Sequence, residues 1–176
     1  MVFGKHAGLS AAGYATNANF VDLPADPMEF SRQQFDALRN GDGKEKVSDI
    51  ARDMKKVMYD DVGIFRTEAG MKTALEQIGS LKQRFKHIKL EDTGKVFNTE
   101  LLNAWELGNM LDLAEVIAAS ALNRQESRGG HAREDFPKRD DVNWLKHSLI
   151  WNKDGKLEIG YKPVVITKYQ PKERVY

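Results

Sequence analysis

Between Leu111 and Leu122 the chain places Leu111, Leu113, Ala114, Val116, Ile117, Ala118, Ala121 and Leu122 nearly all the way round a helical wheel. A helix without a polar face needs cover on several sides, so the neighbouring sequence must supply partners. Asn98 can cap the start of this helix, with Phe97 placed to staple against Leu102. The pattern runs to Ser127, about 43 Å at ~1.5 Å per residue. Two amphipathic stripes precede it. Val47, Ile50, Ala51, Met54, Val57, Met58 and Val62 follow a capping-box pattern at Asp42-Gly43-Lys44-Glu45 and stop at Gly63. Thr67 caps the next stripe of Met71, Ala74, Leu75, Ile78, Leu81, Phe85 and Ile88. Its other face (Lys72, Glu76, Lys82, Arg84, Lys86) is charged and predicts half exposure. Helices over 44–62, 67–88 and 98–127 with short loops predict a mainly α chain, an antiparallel up-down-up three-helix bundle of spectrin-repeat type.

The flanks are less regular. Residues 2–16 predict a helix without an N-cap, whose Gly4, Gly8, Ala11, Ala12 and Ala15 form a small-residue face suited to close packing on something large. After a connector, Asp26-Pro27-Met28-Glu29 combines an N-cap, a proline at the first helical position and a capping-box glutamate. The short helix it opens carries Met28, Phe30, Phe35 and Leu38 and ends at Gly41. Beyond Gly129-Gly130, a polar loop over 128–143 leads to two alternating runs, Leu145, His147, Leu149, Trp151 and Leu157, Ile159, Tyr161. The turn Asn152-Lys153-Asp154-Gly155 between them predicts a β-hairpin, followed by an extended tail to Tyr176. The expected division is 1–42, 43–127 and 128–176.

With 27 Lys and Arg against 26 Asp and Glu, the chain lacks the basic excess of a general nucleic-acid or polybasic membrane binder. At 41% apolar and 30% charged residues it is a globular rather than a disordered composition. The absence of Cys removes disulfides, thiolate nucleophiles and cysteinyl metal sites, and suits a reducing compartment. No apolar run reaches the roughly 20 residues of a membrane span, and no signal-peptide pattern opens the chain.

Arg124 to His147 is the informative stretch. Arg124, Arg128, Arg133, Lys138 and Arg139 face Glu126, Glu134, Asp135, Asp140 and Asp141 in equal number. An anion-binding patch would leave cations in excess, whereas Arg forks matched to carboxylates predict a loop pinned by ion pairs to a domain surface. A ligand-binding loop and a solvated charge run are the alternatives. His131 with Glu134 and Asp135 sketches a metal site without the usual histidine spacing, so His131 reads better as a hydrogen-bonded loop residue. His147 reads as a half-buried strand imidazole, and Trp105, Trp144 and Trp151 as core. No glycine-rich dinucleotide or phosphate loop and no nucleophile elbow occurs. The residues themselves supply no self-sufficient active site.

The run Ser127-Arg128-Gly129-Gly130-His131-Ala132-Arg133-Glu134-Asp135-Phe136-Pro137-Lys138-Arg139-Asp140-Asp141, with Trp144 and His147, closely resembles the C-terminal region of the succinate dehydrogenase and fumarate reductase flavoprotein subunits. The helix from Glu106 to Arg124, Val62-Gly63-Ile64-Phe65-Arg66, Val2 to Gly8 and Pro171 to Tyr176 are similar to the same region. L-aspartate oxidase and adenylylsulfate reductase are related, but Arg139-Asp140-Asp141, Trp144, His147 and the β tail favour the succinate/fumarate branch. The resemblance implies a parent subunit that interconverts succinate and fumarate with covalently held FAD and passes electrons to an iron–sulfur subunit and a quinone. Such a parent sits at the inner face of the cytoplasmic membrane, or on the mitochondrial matrix side in eukaryotes, attached only through anchor subunits. The family's flavin-linking His, catalytic Arg and substrate-binding residues fall before the position matching Met1. The resemblance therefore assigns no catalytic, cofactor-binding or metal residue to this chain, and suggests a C-terminal piece that docks to the flavin domain. Arg124, Glu126, Ser127, Arg128, His131, Arg133, Asp135, Arg139, Asp140 and Asp141 are the expected interdomain residues. The competing expectation is a stand-alone helical interaction module.

Overall fold

The computed structural model describes residues 2–172, so the resemblance at Glu173 to Tyr176 and the end of the expected tail lie outside the described residues. The chain is mainly helical. In order it forms α1 (Val2–Asn17), α2 (Glu29–Arg39), α3 (Val47–Asp60), β1 (Phe65–Arg66), α4 (Glu68–Phe85), α5 (Thr99–Asn123), β2 (Ala132–Arg133), β3 (Lys146–Lys153) and β4 (Lys156–Pro163). Contacts divide it into two compact units, Met1–Gln34 and Phe35–Tyr176.

In the first unit, α1 buries none of its side chains. On its small-residue face, a methyl group added at Gly4 or Gly8 would meet no other described residue within 4 Å. At the start of α2, the Met28 N–H donates to Asp26 Oδ1 at 3.0 Å, and Asp26 also pairs with Arg32 at 2.7 Å. The anticipated reciprocal bond from Glu29 does not form, because that carboxylate accepts from Gln33 one turn later.

In the second unit α3, α4 and α5 pack on one another around one core. Ile50, Ala74, Ile78, Ala104, Leu107 and Ala118 are fully buried; of these, Ile50, Ala74 and Ile78 are positions that the three- and four-residue spacings mark. Two of the expected starts hold. Thr67 Oγ1 accepts the Gly70 N–H at 3.1 Å, and Asn98 Oδ1 accepts the Leu101 N–H at 2.7 Å. The expected box at Asp42 to Glu45 does not exist. Helix α3 begins later, after Lys46, with no side-chain cap. Residue Glu45 is instead extended, donating its N–H to His87 O at 3.1 Å and accepting the Lys89 N–H at 3.0 Å. Gly43 makes this approach possible, since a Cβ there would lie 1.7 Å from the His87 carbonyl oxygen. Arg84, placed by its spacing on an exposed face, forks onto Glu45 and reaches Asp53, both at 2.8 Å. Hydrogen bonds donated to these carboxylates raise its already high pKa. Lys82 likewise bridges to Asp112 and Glu115 on α5, both at 2.7 Å.

The long helix departs from expectation on two counts. Phe97 does not staple against Leu102; its φ is 52° and it is 95% exposed. Nor is the apolar segment covered all round. Ala104, Leu107, Leu111, Ala114, Ala118 and Ala121 form one buried stripe, while Leu113 and Ile117 remain 59% and 48% exposed. Small alanines let α3 and α4 approach one side closely, and no other described segment covers the remaining face.

The hairpin forms with the Asp154-Gly155 turn, both residues at positive φ (52° and 80°), as a two-residue turn between twisted strands requires. The alternation holds only for its leucines: Leu145, Leu149 and Leu157 are half-buried, but His147, expected to be half-buried, is exposed and Trp151, expected in the core, is 48% exposed. Lys146 and Ser148 are partly covered as well, since Arg124 at the end of α5 binds the Lys146 carbonyl and Ser148 Oγ. A further small pairing was not foreseen: β1 and β2 run parallel, with Phe65 opposite Ala132 and Arg66 opposite Arg133.

Ile78→Ala removes a fully buried side chain at the meeting of three helices and should lower the unfolding free energy by about 2–5 kcal/mol. Leu113→Ala, on the uncovered face, should change it by no more than about 0.5 kcal/mol. Urea denaturation of the two variants checks both values.

Candidate functional site

The loop after α5 is built on two buried charges, Glu126 at 0% exposure and Arg133 at 1%. Helix α5 stops because Arg124 turns extended (ψ 109°), which leaves the last carbonyls of the helix in need of donors. Arg133 supplies them. One of its terminal nitrogens donates to the carbonyl oxygens of Ala121, Leu122 and Arg124 at 3.0–3.1 Å. The other edge of the guanidinium grips Asp135 with two bonds, 2.7 and 2.8 Å. Asp135 Oδ2 in turn accepts the Glu68 N–H at 2.8 Å, the first residue of α4. One ion pair thus places a cation at the C-terminus of α5 and an anion at the N-terminus of α4, the favourable sense for both helix dipoles. The Arg133 bonds lower the pKa of Asp135 to about 2.

Glu126 is the second anchor. Its Oε1 accepts from Arg124 at 2.5 Å and Arg128 at 2.8 Å; its Oε2 accepts from Arg128 and from the Asp140 N–H, both at 2.9 Å. Burial alone would raise its pKa. Hydrogen bonds from Arg128, the Asp140 N–H and Arg124 outweigh burial, and the carboxyl ends below its ordinary value. Arg128 continues to Asp141 at 2.7 Å, and Arg139 joins Asp141 at 2.8 Å. Arg124 also donates to the carbonyls of Trp144 and Lys146 and to Ser148 Oγ, and lies 5.2 Å from the Trp144 ring centre. The hairpin is therefore tied to α5 by the arginine that leaves it.

The remaining expected residues are brought to the same loop with other roles. Ser127 Oγ accepts the Arg133 N–H at 2.8 Å and bonds the Phe136 carbonyl at 2.9 Å. Asp140 makes no ion pair among the described residues; its carboxylate accepts the Val142 and Asn143 N–H groups and shapes a turn. Arg128 and His131 exchange backbone hydrogen bonds of 2.8 and 3.0 Å around Gly129, whose φ of 58° suits glycine. His131 belongs to no metal cluster: among the described residues no group of three or more His, Cys, Asp or Glu is arranged to hold an ion. Its Nδ1 accepts from Arg66 at 2.6 Å, and its Nε2 faces the Arg124 carbonyl at 3.3 Å. Burial, aided by the neighbouring arginines, lowers its pKa, so the ring is neutral at pH 7.

Arg66 is the residue that sequence reasoning left out of the site. It arrives on β1, more than sixty positions before the loop, and the only available signal was its place in the Val62 to Arg66 resemblance. Its Nε donates to the Val62 and Gly63 carbonyls at 3.1 and 2.8 Å, closing the turn after α3.

Comparison with known proteins places this arrangement. Residues 51–176 match the family model described as fumarate reductase flavoprotein C-term. The chain belongs to this family. Over its full length it is 44% identical to the fumarate reductase flavoprotein subunit of Haemophilus influenzae and 35% identical to the succinate dehydrogenase flavoprotein subunit of Rickettsia bellii. It spans only 30% and 31% of those relatives. The structure superposes on the FrdA chain of Escherichia coli quinol fumarate reductase with a TM-score of 0.90 at 39% identity, covering 99% of this chain and 31% of that one. The chain is thus a C-terminal domain of the succinate dehydrogenase/fumarate reductase flavoprotein type.

Glu126→Ala strands Arg124 and Arg128 without their shared anion and should cost about 3–5 kcal/mol, read by urea denaturation. Asp135 has a folded pKa of about 2, below its ordinary ~3.9, so protons favour the unfolded chain. Its contribution, on the order of 1 kcal/mol after solvent screening, is whole above about pH 4 and is lost as the pH falls towards 2. Asp135→Asn should remove that part of the acid sensitivity in a stability-versus-pH series.

Proposed function

We propose that this domain is the supporting part of a flavoprotein that interconverts succinate and fumarate with FAD. The observation that carries the reading is the clamp at the end of α5, which fixes loop, hairpin and helices as one unit while leaving Leu113 and Ile117 bare. In this reading α3, α4 and α5 act as an antiparallel three-helix bundle, a rigid block that docks to a flavin-binding domain and lies close to an iron–sulfur subunit. Residues 1–42 would form the connection to the flavin domain, 43–127 the block, and 128–176 the clamp and tail. Arg124, Glu126, Ser127, Arg128, His131, Arg133, Asp135, Arg139, Asp140 and Asp141 would then hold the docking surface in shape rather than touch substrate.

Among the described residues, the starts of α4 and α5 do not fit the flavin itself. A dinucleotide pyrophosphate is held by a glycine-rich turn at a helix N-terminus, and the starts of α4 and α5 are already occupied by Thr67, Asp135 and Asn98. No redox step is assigned to these residues. Among the described residues no helix is long and apolar enough to cross a membrane, which agrees with attachment through partner subunits at the inner face of a membrane.

The test is a graft. With the matching 30% of the H. influenzae subunit replaced by this chain, the hybrid should bind FAD and interconvert succinate and fumarate. The isolated chain should purify without flavin absorbance and without that activity. Flavin bound to the isolated chain would overturn the reading, as would a folded, flavin-loaded hybrid with no activity.

A further inference from the structure

The equal count of cations and anions in the Arg124–Asp141 stretch conceals an uneven arrangement in space. Two of its anions are held by partners: Glu126 is buried between Arg124 and Arg128, and the more exposed Asp135 is held by Arg133 and the start of α4. On the outer side, between α5 and the first strand of the hairpin, lies a cavity of about 540 Å³. Four cations line it (Arg66, Arg124, Arg128 and Lys146), and no carboxylate does.

Two of these cations are already committed. Arg124 and Arg128 share Glu126, and Arg124 spends its remaining donors on two carbonyls and a hydroxyl. Lys146 has its ammonium 3.8 Å from the Tyr161 ring centre and 4.8 Å from that of Trp144, which screens its charge without neutralising it. Arg66 is different. It makes no ion pair among the described residues, and its hydrogen bonds go to two carbonyls and to the neutral ring of His131. Burial lowers its pKa, the direction expected of a guanidinium that gives up water without gaining an anion. Its second terminal nitrogen has no protein acceptor among the described residues, and no buried side-chain nitrogen or oxygen among them lacks a hydrogen bond. That nitrogen is therefore accessible to solvent, on a residue that lines the cavity.

We infer that the cavity beside Arg66 receives an aspartate or glutamate side chain from the flavin-binding part of the subunit, which pairs with Arg66 when the domain docks. The inference rests on the docking reading given above and names the contact that would fix its register. The cavity's apolar wall argues for a protein side chain over a free anion. Val116, Ile117 and Ala121 line it, and bare Leu113 lies about one helical turn before Ile117 on α5. A small ion would leave that surface wet, whereas a chain segment bearing one carboxylate covers the apolar strip and answers the charge together. The relatives, of which this chain spans about a third, have ample further sequence to provide it. A carboxylate facing a desolvated guanidinium gives a directional, bidentate contact, and wrong registers would leave Arg66 buried and unpaired.

The Arg66→Lys variant of the hybrid subunit places a primary amine in the cavity. Treatment with a water-soluble carbodiimide, digestion and mass spectrometry should find position 66 joined by an amide to an Asp or Glu outside the 176 residues. A bond only to carboxylates within the 176 residues overturns the inference. So does no bond at position 66 while other lysines react. Hydrogen exchange of the same hybrid separates the two levels. Slower exchange in α5 than in the isolated chain, without the cross-link, refutes this contact but keeps the docking reading; unchanged exchange refutes both. Millimolar acetate that shifts the His131 ring resonances of the isolated chain would show a free-anion site and overturn the side-chain source.

Discussion

A single guanidinium holds the second half of this molecule together. Arg133 is buried at the place where α5 ends, and it answers three carbonyls there. Its charge could not be buried there alone. Asp135 balances it, and Asp135 is in turn held by the backbone at the start of α4. Two helix ends of opposite polarity are therefore joined through one ion pair, with the dipoles adding to the pair's own attraction. The parallel β1–β2 contact, the Ser127 bonds and the turn at Gly129 all sit within this frame.

Glu126 performs the complementary task on the other side of the same loop. An enclosed carboxylate is costly unless every acceptor site is used. Here two arginines and a backbone N–H use them. Because Arg124 also grips the first hairpin strand, the loop and the hairpin inherit the position of α5 rather than moving independently. This coupling fixes the shape of the surface in advance of any contact, which would lower the ordering cost of the proposed docking.

Much of this was legible in the residues. Spacings of three and four located α3, α4 and α5, and Thr67 and Asn98 marked two of their starts, because caps and stripes are local and need no tertiary information. The hairpin turn was legible for the same reason, since Asp-Gly fits two positive φ angles. The failures share one cause. Glu45 was assigned to a cap but serves as an extended partner to the chain at His87, and the partly covered residues of the hairpin include Lys146 and Ser148, which Arg124 holds. Each was decided by a residue far away in sequence. Arg66 escaped for that reason too. The paired charges of the loop could be counted, but counting does not reveal which signs face inward. The exposed side of α5 was mistaken for a buried one because a helical wheel records apolar faces and not the segments available to cover them.

The β1–β2 pairing carries a consequence for how the chain reaches its final form. Arg66 and Arg133 lie side by side although α4 and α5 both separate them in sequence. Closing so long a loop is entropically unfavourable until the intervening helices have collapsed into place. The clamp must therefore assemble late, as a latch that engages only on a completed helical core. An incomplete core would leave the latch open, and with it the surface around the loop unfinished.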